Sequence, residues 1–145
     1  MNTREAVVRL VKDLTFVGKA GSNHWIPVDS SHKGNVPGAT SPMELVLIAL
    51  GSCTGSDVAI ILEKKRAYMT EFEITIKAER ATQDPKVYTS IHLEYIVTGI
   101  KMRETDVAHA IDLSMTKYCS VSAMLKKSVD VTYSFRILEA GSATG

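Results

Sequence analysis

The sequence predicts an α+β fold: an antiparallel sheet of about six strands, a long buried central helix, and two further helices ahead of a last strand. Three observations predict it. Alternating apolar residues recur in segments on both sides of the chain's middle. One stretch, Ser41 to Arg66 (SPMELVLIALGSCTGSDVAIILEKKR), carries no charge between Leu45 and Ser56. Near Arg103 the apolar spacing changes from every second residue to every third or fourth. The order is β-β-β-α-β-β-α-α-β, and strands that arrive as hairpins without helical crossovers pair antiparallel.

Met1 to Val28 reads as strands: Ala6 to Val11, then Leu14 to Val17, then His24 to Val28, with Lys12-Asp13 and Gly18 to Asn23 between them. Pro27 belongs at an edge or a strand end. Asp29 to Thr40 (DSSHKGNVPGAT) has the Ser, Gly, Asn and Pro content of a loop, about twice the usual length, which favours a functional or mobile connection. The central helix opens on a capping box, with Ser41 as N-cap, Pro42 at the first helical position and Glu44 three residues after the cap. A helix apolar nearly all round must be buried, in a core or against another subunit. At its middle, Gly51 to Ser56 is a run of small residues that lets another backbone come close. Glu63 to Arg66 ends it, with cations where the helix dipole turns negative.

Phe72, Ile74, Ile76 and Ala78 form one apolar row, and Val87, Thr89, Ile91, Leu93, Tyr95 and Val97 another, with Ala81 to Pro85 as the turn. His92 falls on the solvated face. Val107, Ala110, Ile111, Ser114 and Tyr118 make Arg103 to Lys117 an amphipathic helix, and His109, off that stripe, has no assigned role. Tyr118 to Lys127 is a second short helix that places Cys119 near its start. Val129 to Ile137 is the last strand. The chain reads as one domain, residues 1–145, with 139–145 fraying. A sheet with one wet face leaves a side for a second copy to cover, which predicts a homodimer.

The 145 residues carry a formal net charge of +1, which gives no reason to expect nucleic acid or a membrane surface as partner. Met1 to Arg9 has no apolar signal core, so the expected location is cytoplasmic. Leu45 to Leu62 is long enough to be tested as a membrane span; Asp57 and the Gly and Ser cluster count against one. No phosphate-binding glycine loop or HExxH is present. Two cysteines, Cys53 and Cys119, are too few for a secreted disulfide scaffold or a four-cysteine zinc site. They read either as two inert packing residues or as a redox pair. A redox cysteine needs a cation or a helix N-terminus to populate its thiolate, and a second thiol within reach. Cys53 sits too deep in its helix for the dipole to help, and Asp57, at i+4, disfavours its thiolate.

Ser-Pro-Met-Glu-Leu leading to Gly-Ser-Cys53, followed by Tyr-Cys119-Ser-Val-Ser-Ala-Met-Leu before a final strand, resembles the OsmC/Ohr family of osmotically induced and organic-hydroperoxide-resistance proteins. The similarity runs to about Leu138 and is greatest to the uncharacterised OsmC-like branch. It implies an intertwined homodimer with active sites at the subunit interface. It further implies a thiol-dependent peroxidase that reduces organic hydroperoxides with a dithiol reductant and no metal, haem or flavin. By the resemblance Cys53 is the peroxidatic cysteine, which becomes a sulfenic acid, and Cys119 the resolving cysteine that closes a disulfide with it. Glu44 matches a glutamate that holds an arginine over the reactive sulfur, and its capping-box role accounts for it equally well. The family's arginine comes from the N-terminal part of the chain. Here that part offers Arg4 and Arg9, then Lys12, Lys19, His32 and Lys33 before Glu44. Lys19 and Lys33 are the candidate substitutes, although a lysine lacks the forked grip of a guanidinium. With Gly51 and Ser52 they complete the expected substrate-binding positions. A second reading keeps the fold and drops the chemistry, leaving a dimer that binds a lipophilic or fatty-acyl ligand at its interface.

Overall fold

The structure, a computed structural model, describes residues 2–32, 34 and 36–141. Lys33 and the end of the expected frayed tail, 142–145, lie outside the described residues. The chain divides into two compact units, Met1–Ile48 and Ala49–Gly145.

The first unit is a three-stranded antiparallel sheet in the order β1 (Val7–Lys12), β2 (Thr15–Lys19), β3 (Ile26–Val28). Asp13, at φ 51°, makes the tight β1–β2 turn, a backbone region that Asp enters more readily than most residues. Every β1 residue is exposed, so Val7 and Val11 on one face and Val8 and Leu10 on the other all meet solvent. The long loop that follows is held by a single carboxylate. Asp29 accepts the Ser30 and Gly38 backbone N–H groups, each at 2.8 Å, and its own N–H donates to the Thr40 carbonyl at 3.2 Å. Gly38 and then Ser30 pull the Asp29 pKa below the usual carboxylate range, with Thr15 adding to the shift.

Helix α1 (Pro42–Lys64) starts on the expected box: the Ser41 N–H donates to Glu44 Oε1 at 2.9 Å, and the Glu44 N–H to Ser41 Oγ at 3.2 Å. It ends where Arg66 takes φ 58° and the Ala67 N–H reaches back to the Leu62 carbonyl at 3.0 Å, a left-handed cap. By length and composition α1 could cross a membrane. In the chain alone it buries one stripe, Leu50, Thr54, Val58 and Leu62, each 0% exposed, while Ile60 is 51% exposed.

In the second unit, β4 (Tyr68–Arg80), β5 (Tyr88–Ile100) and β6 (Asp130–Glu139) form a sheet in that order. Two expectations are corrected here. The six strands are split between two sheets rather than joined in one, and β5 pairs with β6 in parallel, Ser90↔Asp130 through Gly99↔Glu139. Residues 101–129 supply the reason, since their helices carry the chain back to the starting end of β5, as a parallel return requires. Ile91, Leu93, Tyr95 and Val97 on β5 are buried together with Val107, Ala110 and Ile111 of α2 (Glu104–Leu113).

The expected helix to Lys117 is also revised. After Leu113 the backbone widens into a π-turn, Ser114–Tyr118, before α3 (Ser120–Leu125). The extra residue per turn advances the buried face. Ser114 and Met115 go inside, Tyr118 is left 50% exposed, and Cys119 returns to the interior. The small residues of α1 admit side chains rather than a second backbone. A Cβ on Gly51 would stand 2.9 Å from Ile76 Cδ1, and one on Gly55 3.3 Å from Ile74 Cδ1.

Candidate active site

Cys53 and Cys119 come together within the second unit, near enough that the Cys53 thiol acts on the pKa of Cys119. Helix α1 supplies Cys53, half-buried; the end of the π-turn supplies Cys119, 3% exposed. Cys119 has extended backbone (φ −73°, ψ 103°) and serves as the N-cap of α3, its Sγ accepting the Ser122 N–H at 3.4 Å. Burial pushes the Cys119 pKa up, the Ser122 N–H and hydroxyl pull it down, and the Cys53 thiol pushes it up again. The net rise leaves this sulfur protonated at neutral pH.

Beside the thiols runs a buried chain of hydroxyls that the sequence reading missed. Tyr95 OH lies 2.7 Å from Thr54 Oγ1, Thr54 Oγ1 lies 2.7 Å from Ser114 Oγ, and Ser114 Oγ donates to Asp57 Oδ2 at 2.9 Å. Each member stands on a row that otherwise holds apolar residues: Thr54 among Leu50, Val58 and Leu62, Tyr95 among Ile91, Leu93 and Val97, and Ser114 after Ala110 and Ile111. A polar group on a buried row needs a partner, and that was the available signal. Asp57 is thus engaged by Ser114 as well as standing one turn from Cys53.

The Tyr95 ring stacks on Phe72 (centroids 6.5 Å apart) and meets Tyr133 edge-on at 6.2 Å. Its pKa is pushed up to about 12, first by burial, against the Thr54 hydrogen bond and with help from Cys119, Tyr133 and Asp57. Above about pH 10 the unfolded chain gives up this proton while the folded chain keeps it, so stability should fall with rising pH until the folded group titrates. The loss attributable to Tyr95 is on the order of 2 kcal/mol between pH 10 and 12. Denaturant melts of wild type and Tyr95→Phe should lose stability at different rates across that window, and equal slopes would reject the assignment.

The remaining expected site residues that the structure describes have partners of their own. Both readings of Glu44 begin from its capping box, whose Ser41 N–H, and then the Ser41 hydroxyl, lower its pKa. Lys19 lies in the N-terminal sheet with Nζ 4.8 Å from the Trp25 ring centroid and 3.0 Å from Asn23 Oδ1. The Arg9 guanidinium lies over the same ring at 5.7 Å, and Arg4 bonds Asn2 at 2.7 Å. Gly51 is under Ile76; Ser52 is exposed and its hydroxyl donates to the Ala49 carbonyl at 3.4 Å. His92, on the solvated face, bridges Thr132 at 2.7 Å and Ser134 at 3.0 Å. Among the described residues no cluster of three His, Cys, Asp or Glu side chains could hold a metal ion.

A pair of free thiols joined by a helix and a crossover in this α+β arrangement defines a class of protein, and comparison with known proteins agrees on which. The family model for OsmC-like protein matches residues 32–134. Protein YhfA of Escherichia coli is 41% identical over 136 residues, 94% of this chain and 99% of that protein. A hypothetical protein from Aquifex aeolicus VF5 is similar in structure, with a TM-score of 0.86 at 33% identity, over 96% of this chain and 98% of that one. The organic hydroperoxide resistance protein OhrB of Bacillus subtilis shares the fold at a TM-score of 0.60 and 13% identity, over 93% of this chain and 98% of that one. The chain belongs to the OsmC-like family.

Proposed function

We propose that the protein is a thiol-dependent peroxidase that reduces organic hydroperoxides, with residues 1–145 acting as one OsmC-like domain. The juxtaposition of Cys53 and Cys119 in a chain of this family carries the reading. The Cys53 thiolate attacks the terminal oxygen of the hydroperoxide. An S–O bond forms, the O–O bond breaks, and the alkoxide leaves and takes up a proton as the alcohol. The Cys119 sulfur then attacks Cys53, the S–O bond breaks, and hydroxide departs with the Cys119 proton as water. A dithiol reductant reopens the disulfide by exchange. A protonated resting Cys119 suits a sulfur that acts second. Glu44 is assigned to hold a cation, Lys19 and Lys33 are the candidate cations, and Gly51 and Ser52 are candidate contacts for the substrate.

The working form is proposed to be a cytoplasmic homodimer, supported by a β1 strand exposed on both faces and by the uncovered side of α1. Sedimentation should then give twice the chain mass. The test of function is consumption of cumene or tert-butyl hydroperoxide by the purified protein with a dithiol present. Turnover no better than that of Cys53→Ser rejects it.

One observation favours the second reading, a non-catalytic dimer binding a lipophilic or fatty-acyl ligand. A groove of about 490 Å³ lies along the second half of α1, lined by Asp57, Ile60, Ile61 and Lys64 together with Leu113 and Tyr118. Native mass spectrometry would reveal a carried ligand, together with a Cys53 that resists thiol reagents.

A further inference from the structure

The hydroxyl chain touches the elements that carry both cysteines. Thr54 follows Cys53 in α1, and Asp57 stands one helical turn beyond it. Ser114 is the first residue of the π-turn, and its carbonyl accepts the Cys119 N–H at 2.8 Å. Its side chain takes part in the 2.7 Å and 2.9 Å bonds to Thr54 and Asp57. Ser114 is therefore bonded to Cys119 through its backbone and to Thr54 and Asp57 of α1 through its side chain. Tyr95 anchors the far end to the central strand β5. Thr54, Tyr95 and Ser114 are all 0% exposed.

The direction of the chain follows from what each group can give. A carboxylate only accepts, so Ser114 spends its one proton on Asp57. Thr54 must then donate to Ser114, and Tyr95 to Thr54. All three O–H dipoles point the same way, an order in which each bond polarises the next. Apolar packing between a helix and its neighbours is non-directional, whereas hydrogen bonds of this length weaken steeply once misaligned. A disulfide is as demanding, requiring Cβ atoms roughly 3.5–4.5 Å apart.

We propose that Tyr95, Thr54, Ser114 and Asp57 are positioning residues that set α1 against the π-turn so that the Cys53 and Cys119 sulfurs stand within bonding reach. The inference rests on the redox reading of the pair, and its test does not depend on peroxide turnover. Full-length protein is equilibrated in buffers of oxidised and reduced glutathione. Alkylation and mass spectrometry then count the Cys53–Cys119 disulfide, which forms as one oxidised glutathione becomes two reduced ones. Thr54→Val keeps the side-chain shape and removes the hydroxyl; Ser114→Ala removes the central link; Thr54→Ser keeps the hydroxyl and loses only a methyl.

Expected is a disulfide equilibrium constant about tenfold lower in Thr54→Val and in Ser114→Ala, about 30 mV in potential, with Thr54→Ser close to wild type. Circular dichroism verifies folding. Folded Thr54→Val and Ser114→Ala proteins with the wild-type constant would overturn the proposal while leaving the redox reading in place. So would failure of both to fold beside a folded Thr54→Ser, since the chain would then be a determinant of the fold. A wild-type protein that forms no such disulfide in any buffer removes the redox reading and the inference with it.

Discussion

Cys53→Ser is expected to reduce hydroperoxide consumption by on the order of a thousandfold or more, because the thiol that remains, Cys119, is buried with a raised pKa and is a poor nucleophile at neutral pH. Cys119→Ser should behave differently. It leaves the first reaction intact, so one equivalent of hydroperoxide is consumed per chain at the wild-type rate. The sulfenic acid then has no thiol beside it and persists long enough to be trapped by dimedone, or takes up a second oxygen as sulfinic acid when peroxide is in excess. The two variants thus separate the sulfur that acts first from the one that acts second. A dimedone adduct on Cys119 in place of Cys53 would reverse their roles, and equal activity in wild type and both variants would exclude a thiol mechanism.

Gly99→Ala is expected to destabilise the fold by about 3 kcal/mol, lowering Tm by about 10 °C. Gly99 lies on the central strand, opposite Met69 of β4 on one side and Glu139 of β6 on the other, and its carbonyl accepts the Ala140 N–H at 2.8 Å. A methyl group there would run into the Tyr68 carbonyl and the Met102 side chain. The methionine can turn away; the carbonyl is backbone of a residue paired with Ile100 in the sheet and yields less readily. Adding Met102→Ala should therefore recover little of the lost stability. Calorimetry showing Gly99→Ala within about half a kcal/mol of wild type would contradict this account, since that is the range of substitutions that disturb nothing.

What was legible in the chain follows from where its signals are local. Ser41, Pro42 and Glu44 lie within one turn, so the start of α1 could be read and is found with both bonds of its box. The alternation in β4 and β5 spans 13 residues each, enough to tell their inner rows from their outer ones. The direction of β6 depends on a partner some forty positions away, as in Ser90↔Asp130, and a strand's own pattern is the same whichever way it runs. Only the length of the intervening segment held the answer. The π-turn was hidden for a related reason, because Ser114 and Tyr118 continue a helical spacing that one extra residue per turn silently rotates.

The candidate site was legible in part. Cys53 and Cys119 stood out as two rare residues within distinctive motifs, and they meet in space. Thr54, Tyr95 and Ser114 looked like ordinary members of apolar rows, and their shared hydrogen bonds depend on three elements packing together, which no single stretch encodes. The role of Lys19 could not be read for the same reason. Its engagement with Trp25 and Asn23 belongs to the folded N-terminal sheet.

The placement of the two sulfurs has a topological consequence. Between Cys53 and Cys119 lie the second half of α1, all of β4 and β5, and α2. A covalent bond joining them would close nearly half the polypeptide into a ring and restrict the denatured chain by about 4 kcal/mol in the loop-entropy picture. Oxidant would then harden the molecule against heat at the moment it consumed the reactive thiol, and reductant would soften it again.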